Sequence, residues 1–527
     1  MELKESGTLS AKNDHVRDKW AKLSNYLSLC FIFLGILVRT VQYFSNRSLW
    51  GDEVDLALNI INRSYGELSQ VLDHNQAAPL GFLWLEKLAT QIWGNSEYAL
   101  RLIPFIASIL SLGLFYRLVR QSSSIVAAPI AIALFACGRY TLYFATELKP
   151  YSSDVAIALM LFWLLLKAQH KMLSAKEMLG FAGWGSLAIW LSYPSIFILA
   201  GLSGWSLLTA HKRSLRQMII NRLGIYLTWL ASFGLFYWLT IANTLQNEDL
   251  SSSWASRYPD SFGDILWFFD ALGRFFYHPM GFRGIADGIG IFAFIVGCIV
   301  CYRGQRTVFL ALIAPFVVTM IAAYLHKYPF RDRLILFLAP LGMIIVAEGI
   351  AFLLAKLTEI KLANKLAKSS QISWLCGLLG VICFYALTLT TIYRASNLLI
   401  HPERKQEVKP VLEYVAEQSQ PGDKVYIYEP GIRAFNYYLK LKSYDNLDYT
   451  YGKINFVHKK KTLPDKQREL AVDLQPLQGY PVWFILRADQ AEELEIVQYL
   501  DQVGQRKDHF INIGASAYLY ALGSKQL

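Results

Sequence analysis

The sequence predicts a polytopic α-helical membrane protein with a small α/β domain at its C-terminus. Hydrophobic residues make up 54% of the 527 residues and charged residues only 17%, which is far from the composition of soluble proteins. Apolar segments long enough to cross about 30 Å of hydrocarbon recur along the chain. After residue 394, the sequence becomes more charged, and short strand-like runs alternate with helical ones.

The first apolar segment, residues 26–44, follows a charged tail, residues 1–25, without a small-residue cleavage site, so we interpret it as an uncleaved anchor. A break at Tyr193-Pro194, with basic residues on both sides, indicates that residues 179–208 form a hairpin of two short helices. The total is about eleven spans. The other predicted spans lie near 100–118, 125–144, 153–167, 223–243, 287–302, 307–325, 334–355 and 373–393.

The positive-inside rule gives the chain an orientation. Basic tail and loop residues place the N-terminus in the cytoplasm and the domain 395–527 outside it. The transmembrane domain then covers residues 26–394, and its outer loops are 45–98, 145–152, 244–286 and 326–333. The predicted location is a plasma membrane, such as the bacterial inner membrane. Anionic lipids explain the net charge of +11, so no nucleic-acid partner is needed.

Strands are predicted at Val425–Tyr428 and Val482–Leu486 in the C-terminal domain, with helices at 403–418 and 489–502. All six cysteines fall in predicted spans. The sequence therefore predicts no disulfide framework in this domain.

The first outer loop opens with Trp50, Asp52, Glu53 and Asp55, directly after the first span. Acids beside a membrane suggest catalysis on a lipid-borne substrate, and a solvated acidic loop is the alternative. Arg39 lies inside the outer third of the span, where an unpaired guanidinium is costly. It either has a functional partner or extends to the headgroups.

Further along the first loop, His74 and Gln76 precede an aromatic run, 81–93. That run is either a helix lying along the membrane or an amphipathic helix packed on protein. Both interpretations place His74 and Gln76 near the bilayer surface. The short loop 145–152 holds Glu147, Lys149 and Tyr151 between two spans.

Loop 326–333 carries Lys327, Arg331 and Arg333 on the predicted outer side. Positive charge there runs against the positive-inside bias. A phosphate group would explain it, since guanidinium groups bind phosphate bidentately and ammonium neutralises it.

Together, these residues resemble the C-type (GT-C) integral membrane glycosyltransferases, in particular the family 39, protein O-mannosyltransferase-like and lipid A aminoarabinose transferase-like branch. The resemblance covers roughly residues 26–400 and depends on the order of several short motifs. These are Trp50-Gly51-Asp52-Glu53, Pro79-Leu80, Ala99-Leu100-Arg101-Leu102-Ile103-Pro104 and Glu147-Leu148-Lys149-Pro150-Tyr151.

The resemblance implies that Asp52 is the first-loop catalytic acid, with Glu53 beside it, and that Glu147 is the second acid. It also implies a sugar donor linked through phosphate to a polyprenyl chain, with a lipid, glycan or protein acceptor. The chain has Gln76-Ala77-Ala78-Pro79 where aminoarabinose transferases have Glu-Lys-Pro-Pro. This departure argues against the same substrate.

The expected mechanism is an inverting displacement with Asp52 as base. Arg39, Lys327, Arg331 and Arg333 would bind the donor phosphate. The predicted substrate-binding residues are Trp50, Asp55, His74, Gln76, Lys149 and Tyr151. A divalent metal, Mg²⁺ or Mn²⁺, on acids such as Asp52 and Glu147 stays open. The alternative function is a lipid-linked sugar flippase or transporter, although we find no half-repeat in the hydropathy pattern.

Overall fold

The computed structural model describes the backbone of residues 2–169, 171–210, 212–245, 252, 254–362, 367–441, 444, 447–454 and 462–523. Side chains are described in these ranges except at 2–16, 212–214, 245, 358–362 and 367–370. The chain divides into two compact units. The membrane unit comprises Met1–Phe44, Tyr65–Glu86 and Arg101–Pro402, and the α/β unit comprises Ser45–Ser64, Lys87–Leu100 and Glu403–Leu527.

Helices dominate the chain before residue 398, as the sequence predicts. The first two begin and end at α1 (Glu2–Phe44) and α2 (Gly51–Asn62). The remaining helices of this part are α3 (Leu80–Trp93), α4 (Glu97–Ser122), α5 (Ala127–Cys137), α6 (Arg139–Tyr143), α7 (Tyr151–Lys167), α8 (Ala175–Leu191), α9 (Ser195–Leu208), α10 (Lys212–Phe236), α11 (Ala242–Leu245), α12 (Ile265–Tyr277), α13 (Ile285–Gly304), α14 (Arg306–Tyr324), α15 (Ala339–Leu362), α16 (Ala367–Cys383) and α17 (Thr390–Asn397).

By length and composition, seven helical segments in the described chain can cross a membrane, or eight if the bent pair α5 and α6 forms one span. The predicted fold class, a multi-pass helical membrane protein with C-terminal strands, is confirmed. The remaining predicted spans form the shorter helices α7, α8 and α9, which contain 17, 17 and 14 residues. At 1.5 Å per residue these helices are about 20–25 Å long, slightly shorter than the hydrocarbon layer.

Helix α15 forms the centre of the membrane unit. Of the apolar window in Asp332–Leu357, 94% is buried, against 17% for the window in α13. Small residues allow α13 and α15 to approach closely: a Cβ added at Gly297 would lie 1.9 Å from the carbonyl oxygen of Ile345, and one at Gly349 would lie 2.0 Å from that of Ala293. Such small-residue contacts are typical of helix pairs in membranes.

Two breaks in the helices match features of the sequence. The predicted hairpin within 179–208 is confirmed, since α8 ends at Leu191 and α9 begins at Ser195 after Pro194. A second break at Gly138 turns the chain by 47° between α5 and α6. The short α6 leads directly into the turn that carries Glu147.

The α/β unit is built on a five-stranded sheet with the order β2-β1-β3-β5-β4. Strand β1 pairs in parallel with β2 and β3, whereas β5 is antiparallel to β3 and β4. Both predicted strands and both predicted helices are present. The elements are α18 (Val408–Gln418), β1 (Lys424–Ile427), α19 (Ile432–Leu441), β2 (Asp448–Tyr451), α20 (Leu463–Leu474), β3 (Pro481–Leu486), α21 (Gln490–Val503), β4 (Gly504–Asn512) and β5 (Ala515–Leu522).

The α/β unit also includes part of the predicted first outer loop. Residues 45–64, which contain α2, belong to it, and α2 packs against α19. At the other end of α2, Lys87 Nζ donates a hydrogen bond to the carbonyl of Ile60 (3.0 Å). The predicted division at residue 395 stays a prediction, but α2 and the acids it carries pack with residues beyond 403.

Candidate functional site

Asp52 and Glu53 lie in the first turn of α2, where the helix dipole favours carboxylates. Glu53 is fully buried, and its Oε2 accepts a hydrogen bond from the main-chain N–H of Trp50 (3.4 Å). This contact closes the start of the helix, as in a capping box. Asp52 is only half-buried. Of these two predicted catalytic acids in α2, Glu53 therefore holds the helix start, and Asp52 has the more accessible carboxylate.

Asp55, one turn along α2, forms an ion pair with the C-terminal domain. Arg433 Nη1, on α19, lies 2.9 Å from Asp55 Oδ1 and 3.0 Å from Oδ2. The Asp55 side chain is 10% exposed and that of Arg433 is 39% exposed. Because the carboxylate is enclosed, the guanidinium compensates a charge that would otherwise be costly to bury. The predicted role of Asp55 in substrate binding is untested.

A second arginine, Arg487, follows β3 and lies against the start of α2. Its Nε donates to Gln406 Oε1 (2.9 Å), and the same oxygen accepts the main-chain N–H of Gly51 (3.0 Å). Arg487 Nη1 donates to the carbonyl of Pro430. Residues from three separate parts of the chain thus meet at the first residue of the helix that carries Asp52.

The charged groups around Arg487 act on its pKa. Burial lowers the pKa of Arg487, and the neighbouring charge of Arg433 lowers it further, whereas Asp55 and Asp52 act in the opposite direction. With Glu429, two arginines and three carboxylates therefore interact electrostatically near the start of α2.

Two other predicted substrate-binding residues of the first loop have different surroundings. Trp50 precedes α2, and Lys405 Nζ lies 3.5 Å from the centroid of its ring, a cation–π contact. His74, in the membrane unit, is exposed and has a left-handed backbone conformation with φ of 60°. Their roles in substrate binding stay predictions.

The predicted second acid lies in the turn between α6 and α7 of the membrane unit. Glu147 is fully buried and Lys149 is 6% exposed. The main-chain N–H of Lys149 donates to the carbonyl of Glu147 (2.7 Å), and Lys149 Nζ donates to Gln76 Oε1 (2.6 Å). The structure therefore brings together Gln76 and Lys149, which the sequence places in two different loops.

Tyr151 and Arg333 connect this turn with loop 326–333. Tyr151 begins α7 and is 8% exposed, with its ring 4.9 Å from that of Phe144 in an edge-on contact. The guanidinium carbon of Arg333 lies 5.8 Å from the Tyr151 ring centroid. Of the four cations predicted to bind donor phosphate, Arg333 is the one with a described contact to the Glu147 turn.

Sequence reasoning missed His278 and Arg139, which lie beside Arg333. The rings of His278 and Tyr140 are 3.7 Å apart. Burial lowers the pKa of His278 to about 4; Asp332 opposes this by its charge and a hydrogen bond, whereas Arg333 and Arg139 add to it. The imidazole is therefore neutral at neutral pH, and the cations here are the two guanidinium groups.

Arg139 could have been recognised from the sequence, because it is a charged residue inside the predicted span 125–144, as Arg39 is inside the first span.

Arg39 is fully buried, and its Nη1 donates to the carbonyls of Gly35 (3.0 Å) and Ala136 (2.7 Å). Its described contacts therefore hold α1 against α5. Phosphate binding by Arg39 stays a prediction.

The two remaining predicted phosphate ligands are Lys327 and Arg331, in loop 326–333. Arg331 Nη1 lies 2.9 Å from Asp270 Oδ2, and Asp270 also pairs with Arg274 on α12. Lys327 is exposed. Arg331 therefore has an acidic partner with which a phosphate would have to compete.

The divalent metal on acids such as Asp52 and Glu147 stays a prediction. Within the residues that the structure describes, no group of three or more His, Cys, Asp or Glu side chains is arranged to hold an ion. Asp55 is already paired with Arg433. The mechanism below uses no metal.

Comparison with known proteins adds to this geometry. Residues 77–238 match the family model described as dolichyl-phosphate-mannose-protein mannosyltransferase. The matched segment contains Arg139, Glu147, Lys149 and Tyr151. The resemblance to the GT-C glycosyltransferases is confirmed.

Two solved structures are similar to this chain over most of its length. The oligosaccharyltransferase from Archaeoglobus fulgidus, in complex with Zn and sulfate, is 12% identical with a TM-score of 0.50, over 94% of this chain and 73% of that one. ArnT from Cupriavidus metallidurans bound to undecaprenyl phosphate is 13% identical with a TM-score of 0.49, over 96% and 98% of the two chains. The first likeness shows a shared fold alone. No curated protein sequence matches the chain.

Proposed function

We propose that this protein transfers a sugar from a polyprenyl-phosphate-linked donor to a lipid, glycan or protein acceptor at the outer face of a membrane. The observation that carries the proposal is the turn between α6 and α7, where Glu147 and Lys149 are buried beside Gln76. Buried charges of this kind are rarely retained without a function. The turn also lies inside the segment that matches a mannosyltransferase family model.

The proposed reaction is a single displacement at the anomeric carbon. The acceptor hydroxyl gives its proton to Asp52, its oxygen forms the new bond to that carbon, and the bond to the phosphate oxygen breaks. The electron pair leaves with polyprenyl phosphate, and the configuration inverts. Asp52 is the better base of the first-turn pair because Glu53 is buried and closes the helix start.

The leaving phosphate gains negative charge as the bond breaks, and fixed cations stabilise that charge without reorganising. We assign this task to Arg333, which contacts the Tyr151 ring, and to Arg139, the second guanidinium beside His278. Glu147 and Lys149 then hold hydroxyl groups of the sugar or the acceptor. We place the N-terminus on the cytoplasmic side of a membrane such as the bacterial inner membrane, because the tail and the loops on that side are basic.

The test is transfer from a panel of radiolabelled polyprenyl-phosphate sugars, in membranes that contain matched amounts of wild-type protein or Asp52→Asn. We expect transfer from at least one donor, and a loss of about 100-fold or more in Asp52→Asn, because removing a general base costs that much. Asp73→Asn is the control, since Asp73 is an exposed acid in the same predicted loop.

Two outcomes would contradict the proposal. Equal transfer by the wild type and Asp52→Asn would remove Asp52 from the role of base. No transfer from any donor, together with movement of a labelled lipid-linked sugar across the membrane, would establish a flippase instead.

A further inference from the structure

We infer that Arg433 and Arg487 of the C-terminal domain are positioning residues, which hold the start of α2 and thereby place Asp52 for catalysis. The inference rests on the proposed role of Asp52 and assigns a task to residues 403–527. Every contact used below lies within the α/β unit.

The first contact is the ion pair of Arg433 with Asp55. Helix α19 packs along α2, and Arg433 Nη1 reaches both oxygens of Asp55, at 2.9 and 3.0 Å. Asp55 lies three residues after Asp52, so both side chains project from the same side of the helix. Fixing Asp55 therefore fixes the rotation of α2 about its axis, and with it the direction of Asp52.

The second contact fixes the position of the helix start. Gln406 Oε1 accepts one hydrogen bond from Gly51 and one from Arg487 Nε. Arg487 Nη2 lies so close to Gly51 that an added Cβ would be 2.4 Å away, so any side chain at this position would have to displace the guanidinium. Gln406 and Arg487 are 81 residues apart in the chain, and they converge on the residue before Asp52.

The far end of α2 offers a matched control. There, Lys440 at the end of α19 donates to Asn62, the last residue of α2. This contact joins the same two helices and also involves a cation, but both partners are exposed and lie about 15 Å from the first turn. Removing it tests whether any loss of contact between α2 and α19 affects Asp52.

The experiment compares five variants of the full-length protein. They are Arg433→Gln, Arg433→Lys, Asp55→Asn, the double variant that combines Arg433→Gln with Asp55→Asn, and Lys440→Gln. We expect Arg433→Gln to lower kcat by about tenfold, because a misplaced base slows the chemical step, with KM for the donor within about twofold. Arg433→Lys should recover part of the loss, and the double variant should lose no more than the larger single loss. Lys440→Gln should match the wild type.

Hydrogen exchange of residues 51–62 gives a readout independent of activity. Exchange at this segment should become faster in Arg433→Gln and stay unchanged in Lys440→Gln, because only the former releases the helix start. Arg487→Gln should behave like Arg433→Gln.

The results separate this inference from the proposed function. An unchanged kcat in an active enzyme carrying Arg433→Gln, or unchanged exchange at 51–62, overturns the inference. A rise in KM at constant kcat also overturns it, because Arg433 would then contact substrate. A wild-type protein without transferase activity refutes the proposed function, while faster exchange in Arg433→Gln would still show that Arg433 holds the helix.

Discussion

The two acids to which the resemblance gives catalytic roles are held in different ways. Asp52 lies half-buried at the start of a helix that packs in the α/β unit, and its neighbours include Arg487 from beyond β3. Glu147 is fully buried in the short turn 144–150 between two helices of the membrane unit. A long loop is free to pack with a distant domain, whereas a short one is fixed by the helices it connects. Substitutions at the two acids should therefore differ in their effect on stability.

Glu147→Gln should produce the largest combined effect. We expect a loss of transfer of about 100-fold, together with a destabilisation of about 1–3 kcal/mol, because a fully buried carboxylate needs hydrogen-bond partners and the amide replaces one acceptor oxygen by a donor. Asp52→Asn should lose activity while its stability changes by only about 0.5 kcal/mol, since Asp52 is partly accessible. Thermal unfolding in detergent, measured beside the transfer assay, checks both. Equal stability of the two variants would contradict the expected difference between Glu147 and Asp52.

Lys149→Met should have an intermediate effect. The substitution removes the 2.6 Å hydrogen bond to Gln76. It also removes the ammonium that the proposed function places on a substrate hydroxyl, a charge-assisted contact whose loss corresponds to roughly a tenfold change in affinity. We expect KM for donor or acceptor to rise by about that factor. Lys171→Met is the control, because Lys171 is 55% exposed in its pair with Glu177. If Lys149→Met kept the wild-type KM, its contact with Gln76 would have a structural role alone.

His278→Gln should give the smallest effect, a change in stability that is seen only at acidic pH. Burial lowers the pKa of His278 from its ordinary value of 6.5 to about 4, so below pH 6.5 the unfolded chain binds a proton that the folded protein does not. The wild type should therefore lose stability as the pH falls from 6.5 towards 4, and His278→Gln should lack this component. The difference in unfolding temperature between the two proteins, measured at pH 7 and pH 5, checks the sign. A pH-independent difference would show that His278 does not titrate on unfolding.

Local features of the chain predicted most of the elements in the structure. Pro194 and the basic residues around 179–208 predicted the α8–α9 hairpin, and the run Val482–Leu486 predicted β3. Each signal depends on properties of consecutive residues, such as apolar length or the missing N–H of proline. The family resemblance drew attention to Asp52 and Glu147 for the same reason, since its motifs are short and contiguous.

The sequence by itself therefore determined the membrane class, two strands and two helices of the C-terminal domain, and the candidates for catalysis. Only the tertiary structure decided which side chains meet. Arg433 pairs with Asp55 across 378 residues, and Lys149 with Gln76 across 73. The physical reason is that hydropathy and turn signals act between neighbours in the chain, whereas ion pairs and buried hydrogen bonds depend on packing between distant segments.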